Sequence, residues 1–403
     1  MNTVTYAACP GDTPRRIALR FGVSYASLVA VNPQWDEDPA LIDGELVYVP
    51  IAKPRRYIVR QGDTWETIAW KADCSPELLC ETNGLSPNAA LTAGQWLELP
   101  AGRSGRIVAA EAEYGPMELS KDITRLTGKY PFVTAGSIGR SVLGKPLHAL
   151  RIGGGPFRWH INAACHANEW ITSLLLMRFA EDYANAYQRN GTVGGKSAAA
   201  LFSRTTLWIV PMLNPDGVEL VQDGLALNHP MCRELLEWNR GSKRFSAWKA
   251  NARGVDLNDQ FPAHWEEEQE RRRIPGPAPR DYSGPAPLSE PEALSLAEWT
   301  ERMDFHAVLA LHTQGEEIYW NYRDREPPQA GEWAARLARA GGYRAVRLTG
   351  SDAGYKDWFI DRFRRPGFTV EAGWGHNPLP LEGFSDIYDG VSKLLAEALD
   401  LSP

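Results

Sequence analysis

The sequence predicts an α/β protein preceded by two small β-α-α-β modules, and three observations carry that expectation. From Glu113 onward, short apolar runs alternate with segments of helical periodicity, the pattern of a sheet covered by helices. Three of the runs, Trp159 to Cys165, Ala307 to Leu311 and Gly367 to Val370, are rich in aliphatic or β-branched residues and stop at turn chemistry or a helix start. The first hundred residues contain an internal repeat.

In that repeat, the segment Thr5 to Thr13, ending Gly11-Asp12-Thr13, returns as Tyr57 to Thr64, ending Gly62-Asp63-Thr64. An Ile-Ala pair follows each, Ile17-Ala18 and Ile68-Ala69, and Leu28 to Asn32 matches Leu79 to Asn83. Each copy then closes on a second match, Leu41 to Pro50 and Leu91 to Pro100. The expected unit is a strand, a turn whose Asp or Thr caps the next helix, a second helix, a turn and a closing strand. The modules are placed at residues 3–50 and 55–100. A basic, proline-containing linker at Ile51 to Arg56 separates them, and a Gly-, Ser- and Arg-rich one at Ala101 to Arg106 follows.

Residues 107–403 form the third region. Tyr114 to Leu126 is predicted helical, and Pro131 to Ile138 and Leu147 to Ile152 extended. After the strand Trp159 to Cys165, Trp170 to Tyr187 reads as a helix with Trp170, Leu174, Leu175, Arg178 and Phe179 on one face. Thr205 to Leu213 is extended and ends in a turn at Asn214-Pro215-Asp216-Gly217. Residues 259–290, charged and proline-rich, are expected to be an irregular excursion shaping an entrance.

Composition narrows the function classes. With 403 residues, 43% of them hydrophobic, the chain holds more than one folding unit and is not disordered. A net charge of −7 offers no counter-charge to a phosphate backbone, which excludes nucleic acid as the expected partner. No run approaches the roughly 18 apolar residues of a membrane span. Met1 to Ala8 lacks the basic start and apolar core of a signal peptide, so a cytoplasmic protein is expected. Cys9, Cys74, Cys80, Cys165 and Cys232 are odd in number without zinc-ribbon spacing and are read as thiols.

The chemistry gathers at strand ends, where open α/β sheets build their sites. His166 and Glu169 follow the first apolar run, His312 ends the second and Glu371 the third. Two histidines and a glutamate are the ligand set of a hydrolytic zinc with a position left for water, and a further carboxylate supplies a base. His264 and Glu267 share the His-x-x-Glu spacing but lie in a charged stretch between Pro262 and Pro275, with no strand to stiffen them. That pair is set aside.

Two resemblances sharpen this reading. Residues 5–50 and 57–100 resemble the LysM domain, which implies binding of N-acetylglucosamine-containing glycans such as peptidoglycan. By that resemblance the sugar-contacting candidates are Asp12, Thr13 and Asn32 in one copy and Asp63, Thr64 and Asn83 in the other. Turn-making and capping account equally for the same residues. The first copy departs from the pattern at Pro14.

Residues 113–400 resemble the metallocarboxypeptidases typified by carboxypeptidase A, on His166, Glu169, His312, Glu371, Asn214 to Gly217 and Gly254 to Asn258. The resemblance implies a mixed central sheet flanked by helices, one Zn2+ on His166, Glu169 and His312, and Glu371 as catalytic glutamate. Lys249, after Trp248, falls on the oxyanion-stabilising cation, with Arg244 and Arg253 as alternatives. Asp259 stands after Asn258 where the family grips a terminal carboxylate with Arg, and Asn168 stands where Arg is frequent. With the LysM modules, the site resembles that of bacterial γ-D-glutamyl-L-diamino acid endopeptidases. This implies cleavage of peptidoglycan stem peptides before meso-diaminopimelate, with Asp259 pairing the substrate's extra ammonium and Asn168, Asn258 and Tyr355 or Asp357 lining the pocket. Trp374 and His376 are left between a supporting and a core role. An ordinary metallocarboxypeptidase and a non-catalytic glycan-binding protein are the alternatives.

Overall fold

Each copy of the N-terminal repeat folds as the expected β-α-α-β unit. The computed structural model describes residues 3–9, 12–21, 23, 25–35, 41–50, 56–72, 76–99, 106–110, 112–226 and 228–401. Gly11, Cys74 and nearly all of both predicted linkers lie outside the described residues. The first copy comprises β1 (Thr3–Ala7), α1 (Pro14–Phe21), α2 (Tyr25–Ala30) and β2 (Leu46–Pro50), with β1 and β2 antiparallel and Thr5 opposite Tyr48. In the second, β3 (Arg56–Ile58), α3 (Trp65–Ala72), α4 (Pro76–Thr82) and β4 (Trp96–Glu98) repeat the arrangement. The recurring apolar residues are the two cores: Ile17, Ala18, Leu28 and Val47 in one, Ile68, Ala69, Leu79 and Leu97 in the other.

The recurring polar residues hold these units together. Asn32 Nδ2 donates to Leu28 O (2.8 Å) and Tyr48 O (2.6 Å) while its Oδ1 accepts Tyr48 N, tying the second helix to the closing strand. Asn83 repeats the clamp on Leu79 and Glu98. Asp12 Oδ2 accepts from Tyr6 Oη and Cys9 N, and Asp63 Oδ2 from Tyr57 Oη and Arg60 N. Thr64 Oγ1 accepts Thr67 N in a helix cap. The amides of Asn32 and Asn83 are thus spent on the module's own backbone, which corrects their assignment to side-chain glycan contacts, while Asp12 and Asp63 each hold a tyrosine hydroxyl and a backbone N–H through Oδ2.

The chain divides into two compact units, Met1–Glu113 and Tyr114–Pro403. The larger begins with α5 (Pro116–Lys129), β5 (Thr134–Arg140), β6 (Pro146–Gly153), β7 (Phe157–Ala163) and α6 (Ile171–Gln188). A small hairpin, β8 (Thr192–Val193) and β9 (Lys196–Ser197), leads to α7 (Ala198–Arg204), β10 (Thr205–Val210), α8 (Pro215–Asp223), α9 (Cys232–Trp238), α10 (Trp265–Arg272) and α11 (Pro291–Met303). Then come β11 (Ala307–His312), β12 (Glu317–Tyr319), α12 (Ala330–Gly341), β13 (Arg344–Val346), α13 (Tyr355–Phe363), β14 (Gly367–Glu371) and α14 (Phe384–Asp400). Eight strands make one mixed sheet in the order β13-β12-β14-β11-β7-β10-β6-β5, flanked by the helices.

The middle of that sheet positions the site. β14, β11 and β7 are adjacent and parallel, with His312 opposite Glu371 and Leu311 opposite Ala163. Three C-terminal ends therefore meet at one edge, each carrying a residue that the sequence had singled out. β11 is buried along its whole length, as a central parallel strand requires, and its unbroken apolar run follows from that.

Three local expectations change. Asn214 to Gly217 is the cap and first turn of α8: Asn214 Oδ1 accepts Gly217 N at 3.0 Å and Pro215 starts the helix. The excursion contains α10, whose Glu266, Glu267 and Glu268 sit at the positive end of the helix dipole and Arg271 and Arg272 at the negative end. Helix α6 is buried on every side from Ile171 to Glu181 rather than along one stripe, and Arg178 lies over the Phe384 ring at 5.6 Å.

Candidate active site

The loop after β7 sets the first two residues of the site. Ala164 takes a left-handed φ of 46°, and His166 precedes a single 3-10 turn, Ala167–Glu169. The turn is braced from outside itself. Asn214 Nδ2 donates to Cys165 O and Ala250 O, Ala167 N donates to Lys249 O, and Thr172 Oγ1 donates to Glu169 O. His312 arrives from the neighbouring strand. The result is a buried trio in which His166 and Glu169 are 5% exposed and His312 2%.

One ligand atom from each member lies within 4.8 Å of the others. His166 Nδ1 is 2.8 Å from Glu169 Oε1, His312 Nδ1 is 3.1 Å from Glu169 Oε2, and the two Nδ1 atoms are 3.2 Å apart. Both imidazoles thus turn the same nitrogen toward one carboxylate, and a His₂Glu donor set of this kind fits a divalent metal. His166 Nε2 faces the other way, 3.2 Å from Asp256 Oδ1, the arrangement that fixes a ligating ring. The set-aside pair His264 and Glu267 is part-exposed and recruits no third ligand among the described residues.

The electrostatics favour a cation here. Burial alone would strip the proton from His166, yet Glu169 and Asp256 outweigh it and raise its pKa to about 9. Glu169 is held well below the usual carboxylate range, since His166 and His312 overcome the burial that opposes ionisation. For His312, burial dominates and lowers the pKa. Glu371 is different. Burial, reinforced by the Glu169 charge, raises it to about 8 against the opposing charges of His166 and Lys249.

Lys249 is tied at Nζ to Asp256 Oδ2 (2.7 Å), the carboxylate whose other oxygen faces His166. Its charge is near enough to lower both His312 and Glu371. Arg253, one of the alternatives, is half-exposed and leans toward Glu290 at 3.7 Å. Asn168, on the 3-10 turn, is 8% exposed with its Oδ1 buried and without a hydrogen-bond partner. Asn258 is half-buried, its backbone N–H donating to Asp256 Oδ1.

Two assignments are corrected. Asp259 is not a free carboxylate: it is 1% exposed and paired with Arg272, Nε to Oδ2 at 2.8 Å and Nη2 to Oδ1 at 3.0 Å. The reversed charge is answered by a guanidinium brought in on α10, and burial with the neighbouring Asp256 raises Asp259 to about 7. Tyr355 is a core residue, 2% exposed, its hydroxyl 2.9 Å from Thr300 Oγ1 and its ring against Phe261, Trp358 and His160, so it presents no surface to a ligand. Asp357 is likewise buried against Lys356. Trp374 is 72% exposed, which removes a core role.

The sequence reading had assigned no role to Asp256, Arg272, Thr313 or Asn377. Asp256 was legible in principle, since a carboxylate inside Gly254 to Asn258 is the expected partner of a ligating histidine. Arg272 and Asn377 were not, because tertiary folding alone brings them to residues 13 and 208 positions away.

Comparison with known proteins agrees with this geometry. Residues 119–371 match the zinc carboxypeptidase family model, and residues 10–38 and 57–100 match that of the LysM domain. Over 296 residues, the chain is 46% identical to γ-D-glutamyl-L-diamino acid endopeptidase 1 of Lysinibacillus sphaericus, covering 73% of this chain and 74% of that protein. Two solved structures share the fold. Bovine thrombin-activatable fibrinolysis inhibitor is 21% identical with a TM-score of 0.56, over 72% of this chain and 97% of that one. Carboxypeptidase A of Helicoverpa armigera is 17% identical with a TM-score of 0.54, over 84% and 81%.

Proposed function

The chain belongs to the zinc carboxypeptidase family, and from that premise we propose that it hydrolyses the bond between γ-D-glutamate and meso-diaminopimelate in peptidoglycan stem peptides. His166, Glu169 and His312 would hold one zinc ion, and the two LysM modules would bind the glycan. The observation that carries this reading is a buried His-Glu-His group with a half-buried glutamate on the adjacent strand, in a chain 46% identical to a relative named for that specificity.

When bound, zinc supplies Lewis-acid activation of the scissile carbonyl and of the attacking water. Glu371, half-buried and one strand away from His312, takes the water proton and delivers it to the departing amine nitrogen. Its raised pKa suits a group that must both accept and return a proton near neutrality. Lys249, fixed by Asp256, turns positive charge toward the developing oxyanion. Asn168 Oδ1, a buried acceptor in want of a donor, and Asn258 orient the stem peptide.

Substrate choice rests on the Asp259 region. Arg272 is within ion-pair distance of Asp259, Glu268 and Asp281, of which Glu268 also pairs with Arg271 and Asp281 with Arg280. It has little capacity left to grip a terminal carboxylate as a free arginine would, which disfavours a carboxypeptidase-type hold on the substrate's C-terminus. The test is mass analysis of products from L-Ala-γ-D-Glu-meso-diaminopimelyl-D-Ala. The expected products are L-Ala-D-Glu and diaminopimelyl-D-Ala; release of D-Ala alone would establish an ordinary carboxypeptidase instead.

A further inference from the structure

Two polar side chains beside the metal group have no part in the chemistry above. Thr313 follows His312 directly, and Asn377 lies six residues beyond Glu371, so each sits just past the end of a strand that carries a site residue. Their amide and hydroxyl interlock. Thr313 Oγ1 donates to Asn377 Oδ1 at 2.7 Å, and Asn377 Nδ2 donates back to Thr313 O at 3.0 Å. A reversed amide would set oxygen against both the Thr313 carbonyl and the Glu169 carboxylate, so this bond pattern fixes which way Asn377 points.

The interlocked pair then reaches both oxygens of Glu169. Asn377 Nδ2 donates to Oε1 at 3.4 Å and Thr313 N to Oε2 at 3.3 Å. Oε1 is the oxygen beside His166 Nδ1, and Oε2 the one beside His312 Nδ1. We propose that Asn377 is a positioning residue for Glu169, acting with Thr313 to set the rotation of the carboxylate toward both imidazoles. Two neutral donors orient the group without cancelling its charge. They also join the loop that follows Glu371 to the metal ligand, so the base and the ligand set keep a common frame. Hydrogen-bonded partners of ligating carboxylates affect metal affinity through such orientation, commonly by about 10–100-fold.

The inference rests on the metal-centre reading, and its test separates the two. Zinc affinity of the full chain is measured by competition with a chromophoric chelator, alongside the visible absorption of the cobalt(II)-substituted protein. Asn377→Ala should bind zinc about tenfold or more weakly and shift the cobalt bands. Turnover of the tetrapeptide should fall in kcat with KM nearly unchanged. Thr313→Val, similar in shape, should weaken zinc in the same direction, and Thr313→Ser, which restores the hydroxyl, should recover wild-type affinity. Wild-type zinc affinity and cobalt spectrum in Asn377→Ala would overturn the proposal; if that variant does not fold, the same result in Thr313→Val would do so. A wild-type chain that takes up no zinc would overturn the metal centre itself. Failure on stem peptides alone would leave these substrate-free values in place.

Discussion

His166 stands between two carboxylates, and that placement makes a proton occupy the position of a cation until one arrives. With His166 raised to about 9 and Glu371 to about 8, both groups hold protons at pH 7 before metal is added. Metal binding requires a neutral imidazole and favours an ionised carboxylate, so protons leave as zinc enters. Calorimetry at pH 7 in buffers of different ionisation enthalpy should therefore show close to two protons released per zinc, and about one in Glu371→Gln. The sign follows: zinc affinity climbs as pH rises toward 9 and flattens beyond. Absence of proton release at pH 7 would refute this charge arrangement. The same variant should retain zinc while losing turnover on the order of 10²–10⁴-fold, because it keeps the shape of the base and removes its basicity.

Among the elements, α8 does more than cover the sheet. Its cap, Asn214, is fully buried and uses both ends of its amide: Oδ1 closes the first turn, while Nδ2 holds the backbone on either side of the site at Cys165 and Ala250. Asn214→Ala loses a cap, about 1 kcal/mol, and strands two buried carbonyls, each costing about 1–3 kcal/mol when unsatisfied. The expected result is a denaturation midpoint lowered by the equivalent of roughly 3–7 kcal/mol, together with weaker zinc binding because His166 follows Cys165 directly. A stability change confined to about 1 kcal/mol, the value of the cap alone, would mean that the loop holds without this brace. Element α10 carries a similar lesson. A segment read as irregular is an ordered helix whose last residue, Arg272, neutralises the buried Asp259.

For the whole molecule, the two N-terminal modules each own a core and repeat the same Ile-Ala-Leu pattern at the same depth. Catalysis on a small soluble peptide needs the zinc centre alone, whereas retention on an insoluble polymer gains from two linked binding modules. A chain lacking residues 1–106 should cleave the free tetrapeptide with kcat/KM within about twofold of the full chain, yet sediment with insoluble peptidoglycan about tenfold less. Equal sedimentation of the two would remove glycan binding from the modules. Among the described residues, no helix is long and apolar enough to cross a membrane.

Sequence alone carried the periodicities and the ends of the runs: β7, β11 and β14 were visible as apolar segments, and His166, Glu169, His312 and Glu371 as the residues that terminate them. It also revealed the doubled module, because a repeated core must repeat its buried residues. Partner choice among polar side chains was decided only by the tertiary structure. Asp259 looked free until α10 delivered Arg272, Tyr355 looked available until the core closed over it, and Asn32 and Asn83 looked like ligand contacts until their amides were spent on backbone. The physical reason is one of range. Hydrophobic patterning is written in neighbours a few residues apart, whereas a buried polar group must be satisfied by whatever the fold brings beside it, from any distance along the chain.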